Sequence, residues 1–103
     1  IETMATKLIL RWDIQPGAES EYFEFMVSEF IPGVKRLGIV EPGVWYTAFG
    51  EVEQILVSGT TETEDHMKYV LRSKDWTRLI QRLEELVSNF DQKVVPATGG
   101  FQL

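Results

Sequence analysis

Residues 6–14 read TKLILRWDI, and the alternation within this stretch marks a strand with two unlike faces. Successive side chains of a strand point to opposite faces. Leu8, Leu10, Trp12 and Ile14 therefore share one face, and Lys7, Ile9, Arg11 and Asp13 share the other. The first face is strongly apolar and needs helices over it. The second is mixed, and Arg11 belongs to it without interrupting the apolar side.

Pro16-Gly17 supplies the turn that ends the strand, since proline presets φ and glycine accepts positive φ. In the next segment, AESEYFEFMVSEFIPGVKRLG (18–38), Tyr22, Phe23, Met26, Phe30, Ile31 and Val34 recur at three- and four-residue steps, the period of a helix. Glu19 and Glu21 open it and Lys35-Arg36 close it, in keeping with the helix dipole. Pro32 is expected to kink this helix or end its regular part, and Gly38 to stop it.

VWYTAFG (44–50) and EQILVSGTT (53–61) are rich in β-branched and aromatic residues and read as two strands of a hairpin. Pro42-Gly43 precedes the first, which places that strand at an edge, where a missing N–H is tolerated. Thr61 or Thr63 then caps a helix carrying Met67, Val70 and Leu71. Ser73 is a second N-cap with Asp75 in the new first turn, so the helix is broken near Ser73. Trp76, Leu79, Ile80, Leu83, Leu86, Val87 and Phe90 continue the helical period through WTRLIQRLEELVSNF (76–90). A short final strand is expected in KVVP (93–96) or GFQL (100–103).

The order β-α-β-β-α-β predicts an α+β, ferredoxin-like domain: a four-stranded antiparallel sheet with both helices on one face and the second and fourth strands at the edges. The uncovered face invites a partner, and a symmetric homodimer packed sheet to sheet is the economical solution.

Composition sets the outer limits. A chain of 103 residues, 44% hydrophobic and 12% aromatic, is one domain with enough apolar surface for a core. The domain is taken as residues 4–103, Met4 being the expected initiator and residues 1–3 additional. With no cysteine there are neither disulfides nor thiolate sites, which fits a reducing, cytoplasmic location. A net charge of −6 with scattered basic residues argues against nucleic acid as a partner. No apolar stretch reaches the roughly 20 residues that span a bilayer.

The residues assembled so far resemble the NIPSNAP-like branch of the dimeric α/β-barrel superfamily. The resemblance rests on LRWDIQPG with Tyr22 and Phe23 following, on GVWYTAFG running through the hairpin into QILV, and on SKDW restarting a helix. It covers most of residues 7–96. It implies a ferredoxin-like protomer whose sheet packs against its twin to close a barrel. The wider superfamily includes cofactor-independent monooxygenases, haem-degrading enzymes, isomerases and dehydratases; the NIPSNAP-like branch carries over no reaction.

Four residues are candidates for a ligand pocket: Arg11, Tyr46, His66 and Trp76. His66 is the single histidine and the one ordinary general base near neutral pH, although a half-buried helical histidine is its simpler reading. It has no second histidine at coordinating spacing, so no metal site is expected. Trp76 either lines a pocket for a planar ligand or anchors the restarted helix in the core. Tyr46 and Trp45 point to opposite faces of their strand, and the Tyr46 hydroxyl could serve a bound carbonyl or only a backbone group. Arg11, on the mixed face, needs a carboxylate if the face is covered. Asp13, Glu51 and Glu53 are its expected partners, from either chain of a dimer.

The leading expectation is a homodimer that binds a small hydrophobic or aromatic molecule, with cofactor-independent monooxygenase- or isomerase-like conversion as its extension. No cofactor is called for. The alternative is a non-catalytic dimeric scaffold or interaction module. A closed interior filled by Phe23, Met26, Trp76 and Ile80 favours the scaffold, and an open cavity holding a polar group favours the enzyme.

Overall fold

The computed structural model describes residues 5–49 and 52–97, with side chains 41–42, 44–49 and 52–53 left out of the description. The elements are β1 (Thr6–Ile14), α1 (Glu19–Phe25), a π-helical turn (Met26–Phe30), α2 (Ile31–Arg36), β2 (Val40–Phe49), β3 (Val52–Thr61), α3 (Glu64–Arg72), α4 (Lys74–Glu84) and β4 (Val87–Pro96). The strands form one sheet in the order β2-β3-β1-β4. Each neighbouring pair is antiparallel. This is the α+β, ferredoxin-like arrangement, with β2 and β4 at the edges. GFQL lies outside the described residues.

The two faces of β1 part as the alternation requires. Leu8, Leu10 and Trp12 are buried, and Arg11 is exposed. Trp12 pairs with Ile55 and Leu10 with Val57 across the β1–β3 ladder, and all four belong to the core. The helical segments supply the other half: Tyr22, Met26, Phe30 and Val34, then Met67 and Val70, then Trp76 and Leu83.

Pro32 explains the irregular first helix. It has no N–H, and its ring would press on the carbonyl four residues back in a continuing α-helix. The chain opens by one residue before it: the Ile31 N–H bonds the Met26 carbonyl, five residues back. The α-helix then resumes with Pro32 in its first turn, where no N–H is needed. A wider turn also keeps Tyr22, Met26, Phe30 and Val34 on one side, since steps of four drift around an ideal α-helix of 3.6 residues per turn. Phe23, expected in that stripe, is 52% exposed. One position from Tyr22 it is rotated about 100° off the buried face, and its ring meets Tyr22 edge-on at 5.1 Å.

Gly38 ends α2 in a Schellman motif. Its φ is +92°; the Gly38 N–H bonds the Lys35 carbonyl at 3.0 Å and the Ile39 N–H bonds the Val34 carbonyl at 3.3 Å. Ile39 and Val34 both sit in the core, the apolar contact that accompanies such a cap. Pro42 falls within the register break of β2 between Val40 and Gly43, on an edge strand as its missing donor demands. Thr63 and Ser73 cap α3 and α4 by accepting the backbone N–H of His66 and Trp76, at 3.0 and 3.2 Å.

The last helix is shorter than its apolar period predicts. It ends at Glu84, and Val87 already belongs to β4. Leu86 and Val87 are buried as expected, but from a turn and a strand. Ser88 and Asn89 are weak helix formers, and Asn89 takes φ 56° at a shift in the β1–β4 register between Arg11 and Asp13. KVVP forms the last four residues of a strand that starts six residues earlier.

Candidate functional site

Trp12 is the centre of the interior. Its side chain is fully buried, and its indole N–H donates to the Tyr22 hydroxyl at 3.0 Å. Tyr22 and Phe30 meet it edge to face, and Phe90 stacks on it at 14° between ring planes. Burial raises the Tyr22 pKa, outweighing the opposing effect of the Trp12 hydrogen bond. Tyr22 is thus a neutral phenol at ordinary pH and unsuited to act as a phenolate base.

Trp76 lies in the same core, 4% exposed, with its ring 6.4 Å from that of Phe30. Together with Leu8, Leu10, Phe30 and Val57 it borders an apolar cavity of about 10 Å³. Such a space is about one water probe in size, against the roughly 300–1,000 Å³ of ordinary ligand pockets. Met26 and Ile80 pack as expected for a closed interior; Phe23 does not contribute, because it faces outward.

Arg11 stands on the opposite face of the sheet. Its carboxylate partner is Asp91, directly across the β1–β4 ladder, at 3.7 Å, with both side chains 52% exposed. Of the expected partners, Asp13 is not the one it meets. Asp91 was read as following a helix, whereas β4 begins at Val87 and carries it alongside β1. Glu51 and the Glu53 side chain lie outside the described residues. Asp13 instead accepts a hydrogen bond from the Asn89 amide at 2.8 Å through Oδ2. Its Oδ1 is buried with no partner among the described residues.

His66 serves the end of α2. Its Nε2 lies 2.9 Å from the Leu37 carbonyl, so Nε2–H is the donor and a final helix carbonyl is satisfied. The ring lies against Gly38, where an added Cβ would come within 2.5 Å of Cε1. Tyr46 pairs with Ile55 through its backbone, and its side chain lies outside the described residues. Arg11 and Trp76 are therefore separated by the sheet, and His66 is engaged at a helix terminus. Among the described residues no group of His, Asp or Glu is arranged to hold a metal ion, and no helix is long and apolar enough to cross a membrane.

Sequence reasoning missed Asp91 and the Tyr22 hydroxyl. The signal for Tyr22 was present: a polar-tipped aromatic in the same buried stripe that faces Trp12. Asp91 gave none, because its role depends on strand pairing.

No protein-family model and no curated protein matches the chain, but solved structures do. A NIPSNAP family protein from Agrobacterium tumefaciens superposes with a TM-score of 0.68 at 18% identity, over 98% of this chain and 92% of that one. A variant of SnoaB, a cofactor-independent oxygenase from Streptomyces nogalater, gives a TM-score of 0.72 at 10% identity over 96% of each chain. The chain has the fold of the NIPSNAP proteins and related monooxygenases. An uncharacterized NIPSNAP-like domain protein from Burkholderia xenovorans adds a TM-score of 0.64 at 16% identity, over 99% of this chain and 91% of that one. Within this fold Trp76, Arg11 and His66 divide between a filled interior, an uncovered sheet face and the end of α2.

Proposed function

We propose that the protein is a homodimer joined through the uncovered sheet face and acts as a non-catalytic interaction or scaffold module. The observation that carries this reading is the two-sided sheet. One face is packed under all the helices, and the other presents Ile9, Leu56 and Val95, half-buried without a helix over them, beside the Arg11–Asp91 pair. A face of strands nine or ten residues long is roughly 30 Å by 15 Å. A symmetric pair would bury on the order of 1,000 Å², near the lower bound for a specific interface. In such a pair Arg11 and Asp91 are interface charges first, able to bond within or across the subunits.

The filled interior supports a module over an enzyme. A cavity of about 10 Å³, lined by apolar side chains and Ser58, leaves no room for a substrate. A second reading is favoured by the aromatic wall that Trp76 gives this cavity and by the likeness in fold to SnoaB, a cofactor-independent oxygenase. In it the interior opens to bind a small hydrophobic or aromatic molecule, and Arg11, Tyr46, His66 and Trp76 are the residues to substitute.

Native followed by denaturing mass spectrometry separates the two. A dimer without added mass supports the module. Mass that is lost on denaturation, and whose removal from the folded protein shifts the amides of Leu10, Val57 and Trp76, moves the assignment to the second reading, and a monomer overturns the module.

A further inference from the structure

A groove of about 480 Å³ runs between the first helical run and α4 on the helix side of the molecule. Its floor is apolar: Phe25, which is 3% exposed, with Leu37 and Leu79. Gly33 lets the two walls meet there, since a Cβ on it would stand 2.8 Å from Leu79 Cδ1. The volume lies within the range of small-molecule sites.

Three guanidiniums edge the groove, and they differ in how firmly they are held. Arg82 is committed, bonding Glu85 at 2.7 Å and Glu21 at 3.2 Å. Arg78 has one loose partner, Asp75 at 3.5 Å, with both side chains largely exposed. Arg36 has no ion pair or hydrogen bond among the described residues. Arg36 is therefore the guanidinium left to meet a bound anion, with Arg78 able to release its loose partner. An arginine fork matches a carboxylate in two parallel hydrogen bonds. Glu29 and Asp75 on the same rim repel a multiply charged anion, which weighs against phosphates.

We infer that this groove binds a small monocarboxylate with an apolar or aromatic body, its carboxylate on Arg36 with Arg78 alongside and its body over Phe25, Gly33 and Leu79. The site is separate from both the interior and the sheet face, so it stands whether or not the chain dimerises.

The test is titration of the isotope-labelled protein with 2-naphthoate, followed by amide chemical shifts, with 2-naphthamide as the neutral counterpart. Saturable shifts centred on Gly33, Arg36 and Leu79 are expected. Arg36→Gln, at an exposed position, should weaken 2-naphthoate by about tenfold, and 2-naphthamide should bind the unaltered protein more weakly by a similar factor. An absence of saturable shifts overturns the proposal. So do shifts centred on Leu10, Val57 and Trp76, or equal affinity for the acid and the amide.

Discussion

The Trp12 indole N–H and the Tyr22 hydroxyl form a 3.0 Å hydrogen bond between side chains that are 0% and 2% exposed. A strand and a helix are thereby locked together within the buried core. Tyr22→Phe keeps the ring but strips the indole of its acceptor, and an unsatisfied buried donor costs about 1–3 kcal/mol. Urea denaturation of the variant should show that loss with little change in m-value.

The same hydroxyl sets an alkaline limit. Its pKa is raised in the folded state, so above the ordinary phenol value of about 10 the unfolded chain gives up the proton first. The native state then binds more protons than the unfolded one, and stability falls as pH rises. This contribution is intact below about pH 10 and is lost progressively above it. Tyr22→Phe should show a shallower decline than the unaltered protein when denaturation midpoints are compared across pH 9–11 (a window set by the value near 10).

Gly38 and His66 should behave as a coupled pair. Gly38→Ala places a Cβ against the imidazole and forces a positive φ, with an expected loss of about 2–3 kcal/mol. In a His66→Ala background the clash disappears and the backbone strain of about 1 kcal/mol remains. Denaturation of the four proteins of this cycle should therefore give a coupling above about 0.5 kcal/mol. Additive losses would show that the imidazole does not constrain the turn.

Asn89 tests the bulge that begins β4. Both Asn89→Ala and Asn89→Gly remove the bond to Asp13, but glycine accepts φ 56° without strain. The alanine variant should be the less stable by about 1 kcal/mol in thermal or chemical unfolding.

What the sequence made legible was local. The two faces of β1, the caps at Thr63 and Ser73, and the stop at Gly38 each follow from a few adjacent residues whose chemistry has one good solution. The start of β4 did not, because Leu86, Val87 and Phe90 satisfy a helical period as well as they satisfy the strand and bulge they form. Phe23 was misplaced because a three-to-four-residue stripe tolerates one neighbour too many. Arg11 with Asp91, and His66 with Gly38, were beyond reach for another reason. Their partners lie far away in sequence and become neighbours only once the strand register and the helix packing are set. Of the four candidate pocket residues, Arg11, His66 and Trp76 occupy three separate environments, a division that no spacing in the chain records.

The sheet-face dimer is tested most directly by sedimentation velocity over a range of concentrations, on the unaltered chain and on Ile9→Asp. Ile9 lies on the uncovered face and outside the buried core, so a carboxylate there spares the core and puts charge into the proposed apolar interface. The expected result is twice the chain mass for the unaltered protein, shifting toward the monomer on dilution as the modest interface area implies, and a single chain mass for Ile9→Asp throughout. A single chain mass for the unaltered protein at every concentration, or a dimer that Ile9→Asp leaves intact, would contradict it.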